Sequence, residues 1–337
     1  MNTPEVDSGR LIESLERMAQ IGATKKGGVC RLAATDEDRD ARDLLVSWAK
    51  NADCEITIDH IGNLFCRRSG GRNILAPVLI GSHLDSQPTG GKYDGTYGVL
   101  AALEVVRALN DKEIQTLRPI EVVSWTNEEG SRFAPAMMGS GVFAGALALS
   151  TALNSEDTNG LKLSNSLARI GYDGDAPCCG RPIHAYFEAH IEKEPILETK
   201  GKTIGVVEGI QGIRWFNCTI IGKEAHAGPT PMSARRDALV GAARLIEQIN
   251  DIAIANAPDG RTTVGQLQLF PNSRNVIPGQ VHFTIDMRHP TPEALTEMAH
   301  SMHRTFDDTC KNSNLRGNLE EIWYSPPTAF EKAMEPE

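Results

Sequence analysis

The alternation of apolar and polar positions divides the chain into two regions of different rhythm. In the first, apolar residues recur at helical spacing over 9–18 and 36–51, with Thr35 placed to cap the second helix. Residues 55–59 and 63–67 read as a short strand pair around Ile61-Gly62, and 74–80 as a further strand. A helix over 98–110 follows, apolar at Val99, Leu100, Leu103, Val106 and Leu109, and then a strand over 120–125. Helical stretches return over 141–149 and 161–170, and a strand over 184–191 ends near His190. Strands alternating with helices predict an α/β unit with a mostly parallel sheet flanked by helices.

The rhythm changes near Gly201. Residues 203–207 and 213–222 read as paired strands, and 233–255 as a long amphipathic helix with Leu239, Ala243, Ile246 and Ile249 on one stripe. Strands over 262–270 and 280–288, a helix over 293–310 and a strand over 320–324 complete a small α+β sandwich of the split βαβ type. Ser325-Pro326-Pro327 then breaks the chain. The expected division is a first domain over 1–202, resumed by 325–337, and a second over 203–324.

Composition narrows the function classes. A formal charge of −10 over 337 residues, with no basic stripe, argues against nucleic acid and against an anionic membrane surface. No apolar run reaches the length of a spanning helix, and the polar N-terminus carries no visible signal peptide. Seven scattered cysteines fit reduced thiols, so a cytoplasmic location is expected.

Candidate chemistry collects at the expected strand ends. Gly81-Ser82-His83-Leu84-Asp85, Lys92-Tyr93-Asp94-Gly95 and Asn127-Glu128-Glu129-Gly130 each sit close behind an apolar run or at a helix start. Side chains at the carboxyl ends of parallel strands converge in one crevice. His, Asp and Glu meeting there are the nitrogen and oxygen ligands of a divalent metal such as zinc. A lone strand histidine is usually a core residue and a Glu-Glu pair usually solvated; the joint placement points to a metal-assisted hydrolase. Asp85, two residues from His83, is placed to accept the far imidazole N–H and fix its tautomer. Asp94 has two oxygens to bridge two ions. Of the pair Glu128-Glu129, one carboxylate suits ligation and the other proton transfer.

These motifs, with Trp125-Thr126-Asn127-Glu128-Glu129-Gly130-Ser131-Arg132-Phe133, His226-Ala227-Gly228-Pro229-Thr230-Pro231-Met232 and Arg274-Asn275-Val276-Ile277-Pro278-Gly279, resemble the family of allantoate amidohydrolases, N-carbamoyl-L-amino-acid hydrolases and β-ureidopropionases. That family lies within the dinuclear-zinc aminoacylase and carboxypeptidase superfamily. The resemblance covers nearly the whole chain. It implies two divalent ions per subunit, zinc or manganese, with cobalt or nickel also accepted by such N/O sites. One ion would be held by His83, Asp94 and His190, the second by Asp94, Glu129 and a histidine near the family's C-terminus. Glu128 would be the general base. The second domain resembles the family's ferredoxin-like lid and dimerisation domain, implying a homodimer. Its His226 would steady the oxyanion of a partner subunit's site, and Asn275 and Arg288 would hold the carboxylate of a small ureido or amide acid substrate.

The sequence departs from this pattern in two places. Where the family reads His-Ile-Glu-Gln-Gly-Pro, this chain reads His190-Ile191-Glu192-Lys193-Glu194-Pro195, so a lysine replaces a substrate-contacting glutamine and a glutamate replaces a glycine. The family also continues beyond Ser325-Pro326-Pro327 to its last histidine ligand. The expectation is a C-terminally truncated chain with an incomplete second metal site. A dipeptidase or aminoacylase of the same superfamily, and a non-catalytic dimerising remnant, are the alternative readings.

Overall fold

The computed structural model describes residues 5–193 and 195–330. Its internal contacts divide the chain into two units, 1–196 and 197–337.

In the first unit a five-stranded sheet has the order β1 (Glu55–Ile58), β2 (Leu64–Arg68), β4 (Ile120–Trp125), β3 (Val78–His83), β5 (Ala185–Phe187). β3 pairs in parallel with β4 and β5, whereas β1–β2 and β2–β4 are antiparallel. The sheet is therefore mixed, correcting the expectation of a mostly parallel one. The tight connection over 59–63 can join only antiparallel neighbours, and that hairpin adds to β4 with its second strand. All six residues of β4 are buried, including Glu121, which pairs with Arg67 and Arg181.

Helices α1 (Ser8–Met18), α2 (Asp36–Asn51) and α3 (Thr96–Asp111) contribute to one core, in which Leu15, Leu45, Val99, Leu103 and Val106 meet Leu64 and Val122. Phe65, Leu79, Val123 and Trp125 form a separate cluster with Phe143. Thr35 caps α2 by accepting the Asp38 N–H. The strand expected at 74–80 begins only at Val78, after Pro77, and runs on to His83; Ile74 is exposed. The expected helix over 141–149 is instead two short ones, Met138–Phe143 and Leu149–Leu153.

In the second unit Leu267–Phe270, Gln280–His289, Gly212–Ile221 and Arg316–Ser325 lie side by side, all antiparallel. Helices Ala238–Ala255 and Pro292–Asn312 share its core, where Phe216, Ile220, Phe283 and Ile285 meet Leu245, Ile249, Met298 and Met302. Along Gln280–His289 buried and less buried residues alternate strictly. The expected strand over 262–270 is split: Arg261–Thr263 and Leu267–Phe270 pair with successive stretches of Gln280–His289. Residues 203–207 form no strand, because no neighbour covers Ile204, Val206 and Val207, which are exposed. Gly209–Ile210 pairs instead with Thr328–Ala329, so the chain just beyond Pro327 stays within the second unit. Among the described residues no helix is long and apolar enough to cross a membrane.

Candidate metal centre

His83 is the last residue of β3, and Glu128-Glu129 lie three and four residues beyond β4, its parallel neighbour. Asp94 lies two residues before α3. Gly95 caps that helix with φ of +62°, and a Cβ at this position would run into the His83 imidazole. Glycine is thus required there twice, by backbone conformation and by the packed ring.

The ligand-type atoms meet closely. His83 Nε2 lies 3.3 Å from Glu128 Oε2 and 3.9 Å from Asp94 Oδ1. Asp94 Oδ1 is 3.3 Å from His190 Nε2, and the two imidazoles stack with centroids 6.1 Å apart. Two groupings result: His83, Asp94 and His190, and His83, Glu128 and Glu129. Lys193 Nζ lies 2.7 Å from Asp94 Oδ2 and 3.7 Å from Glu129 Oε1.

Three buried atoms in this cluster, His83 Nε2, Asp94 Oδ1 and Glu129 Oε1, make no hydrogen bond among the described residues. Buried polar atoms are ordinarily satisfied. The open His83 nitrogen and Asp94 oxygen lie 3.9 Å apart, and Glu129 joins His83 in the second grouping; imidazole nitrogen and carboxylate oxygen are the donors of a divalent cation, so the residues fit such an ion.

Asp85 differs from its expected role. His83 Nδ1 lies 2.8 Å from the main-chain oxygen of Asp85, and the Asp85 carboxylate is 3.8 Å away. That carboxylate instead accepts the backbone N–H groups of Glu128 and Glu129. It orients the carboxylate pair directly, and the imidazole is fixed by a carbonyl. Burial pushes the Asp85 carboxyl up to about 6, against the opposing pull of His83. Burial likewise raises the Glu128 carboxyl, opposed by His83. Burial works against a charged His83 imidazole, but the carboxylates of Glu128, Asp85 and Glu129 outweigh it and raise its pKa. Burial would also raise the Asp94 carboxyl, yet hydrogen bonding to Lys193 and the charges of Lys193 and His83 carry it below the ordinary range.

His190 does not end a strand, as expected; β5 stops at Phe187, and residues 188–193 continue without regular structure. The His190 Nδ1 lies 2.8 Å from the main-chain oxygen of Ile191. Glu194, the residue standing where the family has glycine, lies outside the described residues.

Sequence reasoning missed the buried scaffold behind these loops. Arg31, fully buried, donates to the carbonyls of Leu84, Met18 and Ile21 and to Thr96 Oγ1. It thereby ties the loop after His83 to the start of α3 after Asp94. Arg42 pairs with Asp38 and donates to the Gly62 carbonyl and Thr126 Oγ1. Asn63 accepts the Thr126 N–H, and Asn127, at φ of +51°, donates to the carbonyls of Phe133 and Pro135. These bonds set the turn that presents Glu128. The visible signal was an arginine within a mainly apolar stretch, which burial alone cannot explain.

In the second unit, His226 is paired with Val276, and the Ala227 N–H donates to the Asn275 carbonyl, so His226 and Asn275 are neighbours. His226 is exposed, and its Nδ1 accepts the Gly228 N–H. Arg288 lies on the strand Gln280–His289. Its guanidinium makes a two-pronged contact with the Asp286 carboxylate.

Comparison with known proteins places this geometry. Residues 79–331 match peptidase family M20/M25/M40. The chain is 44% identical over 329 residues to an N-carbamoyl-L-amino-acid amidohydrolase of Rhizobium meliloti, covering 98% of this chain and 79% of that protein. It is 33% identical to an allantoate amidohydrolase of Bacillus subtilis, covering 96% of this chain and 82% of the relative. Its fold superposes with a TM-score of 0.97 on a crystal structure from Burkholderia vietnamiensis described as an amidase of the hydantoinase/carbamoylase family, at 55% identity over 99% of this chain and 81% of the other.

Proposed function

The chain belongs to peptidase family M20/M25/M40, and from that membership we propose that it is a metal-dependent amidohydrolase cleaving a C–N bond of N-carbamoyl amino acids or allantoate. The observation that carries the reading is the convergence of His83, Asp94 and His190, in which His83 Nε2 and Asp94 Oδ1 are buried and make no hydrogen bond among the described residues. The substrate class is that of the relatives.

A divalent ion, zinc or manganese, bound there supplies a Lewis acid and lowers the pKa of its water. The chain's own residues do the rest. His83, Asp94 and His190 would hold one ion, and Asp94 with Glu129 would contribute to a second. Asp85 fixes Glu128 and Glu129 through their backbone N–H groups. Glu128 is the general base: its Oε2 takes a proton from the attacking water and returns it to the leaving nitrogen as the C–N bond breaks. Burial supports this role, because a carboxyl raised toward neutrality both accepts and releases a proton readily. The second unit is read as a lid through which two copies pair, with His226 steadying the oxyanion and Arg288 selecting an acidic substrate. Its location is the cytoplasm.

The test is hydrolysis of N-carbamoyl-L-amino acids, N-carbamoyl-β-alanine, allantoate and dipeptides by protein loaded with Zn²⁺ or Mn²⁺. Release of ammonia or amino acid from a ureido substrate, lost on chelation, is expected. Dipeptide cleavage without ureido cleavage would overturn the substrate reading.

A further inference from the structure

We propose that Lys193 is a tethered counter-cation of the Asp94–Glu129 carboxylate pair and competes there with a divalent ion. The inference rests on the metal-centre reading and concerns how many ions that centre takes readily.

The two oxygens of Asp94 face different partners. Oδ1 faces the imidazoles of His83 and His190, at 3.9 and 3.3 Å from their Nε2 atoms. Oδ2 faces the Lys193 ammonium at 2.7 Å. The same ammonium is 3.7 Å from Glu129 Oε1, and the Asp94 and Glu129 side chains are only 9% and 7% exposed. A carboxylate bridging two cation positions therefore has one already taken by a group of the chain itself. An imidazole ligates a metal ion only through an unprotonated ring nitrogen, so the side of Asp94 facing the two rings is where an ion would sit.

Lys193 is fixed in register, three residues after His190 on the same stretch of chain. An ion entering between Asp94 and Glu129 must displace the ammonium or sit against it. The lysine replaces a glutamine in the resembled pattern, and glutamine has no charge to compete.

The experiment is a Mn²⁺ titration of the chelator-stripped chain, with free Mn²⁺ read by electron paramagnetic resonance, on the wild type, Lys193→Gln and Lys193→Arg. The wild type is expected to take one ion tightly and a second weakly. Lys193→Gln should tighten the second by at least about tenfold, the effect of removing a unit positive charge within ~4 Å of a dication. Lys193→Arg, which keeps the charge, should leave the second ion weak. Equal second-ion affinity in the wild type and Lys193→Gln, or two equally tight ions in the wild type, would overturn the proposal. If no ion binds to any of the three proteins, the metal-centre reading itself falls, an outcome distinct from failure of the competition alone.

Discussion

Replacing Arg31 with leucine removes the donor that four acceptors share. The carbonyls of Leu84, Met18 and Ile21 receive its N–H groups at 3.0, 3.2 and 3.0 Å, and Thr96 Oγ1 at 2.8 Å. The threonine hydroxyl can rotate to another partner; the three carbonyls cannot. Each orphaned buried acceptor costs about 1–3 kcal/mol, or roughly 3–9 kcal/mol together. Part is recovered. Burial pulls the Arg31 guanidinium below its ordinary pKa, so its charge is held at a cost that the variant escapes. The expected net loss is about 3–5 kcal/mol in the unfolding of the first unit. Urea titration measures it in a background with Trp215 and Trp323 changed to phenylalanine, so that fluorescence comes from Trp48 and Trp125 of the first unit. Arg31→Lys should fall between, because a point charge on a flexible stem cannot serve diverging acceptors. A loss below about 1 kcal/mol for Arg31→Leu would place it among ordinary surface changes and refute the clamp. Ion affinity should fall in the same variant, since Leu84 and Thr96 adjoin the residues around the ligands.

Glu128→Gln should keep the ion content and lower turnover on the order of 10²-fold or more; loss of the ion would mark Glu128 as a ligand. Gly95→Ala should weaken Mn²⁺ binding at least about tenfold, because a φ of +62° and the His83 ring both oppose a Cβ; unchanged binding in the same titration would remove the packing argument. Asp59, whose carboxyl burial pushes up to about 6, supplies a pH test. Its folded pKa lies above the ordinary value of 3.8, so the folded state holds the proton longer and stability declines as pH rises from about 4 to 6. The stability difference between wild type and Asp59→Asn should therefore move against the wild type by up to roughly 3 kcal/mol across that window, and then level off. A flat difference in urea midpoints would refute the shift.

What was legible in the chain depended on periodicity and on local chemistry. Helices with a clear stripe, such as Thr96–Asp111 and Pro292–Asn312, were located to within a few residues because burial of one face dictates their spacing. His83, Asp94, Glu128 and Glu129 were readable as neighbours because strand ends and a glycine-flanked helix start bring them together; His190 was expected at a strand end and lies three residues beyond β5. Sheet direction was not readable: the β1–β2 hairpin has the same alternation whichever neighbour it joins. Asp85 was misassigned because a residue two positions on offers both a carbonyl and a carboxylate, and spacing does not choose between them. The exposed run at 203–207 resembled a strand because β propensity reflects side-chain type, whereas pairing needs a neighbour. Arg31 and Arg42 were not readable as a scaffold, since Arg31 bonds mostly to backbone carbonyls and the Thr126 partner of Arg42 lies 84 residues away.

The order of strands in the first sheet also sets a sequence of assembly. β3 and β4 pair residues 42 apart, with α3 between them. That segment and its flanking loops carry His83, Asp94, Glu128 and Glu129. β3 and β5 pair residues 107 apart, and only that closure delivers His190 and Lys193. The longer loop costs about 0.8 kcal/mol more to close, and the three-residue β5 returns few hydrogen bonds for it. The carboxylate-rich half of the centre thus forms early and locally, and the remaining imidazole arrives late together with the ammonium. An ion held by both halves would tie the last strand to those already paired. Release of that ion would report fraying of β5 before any change in the core.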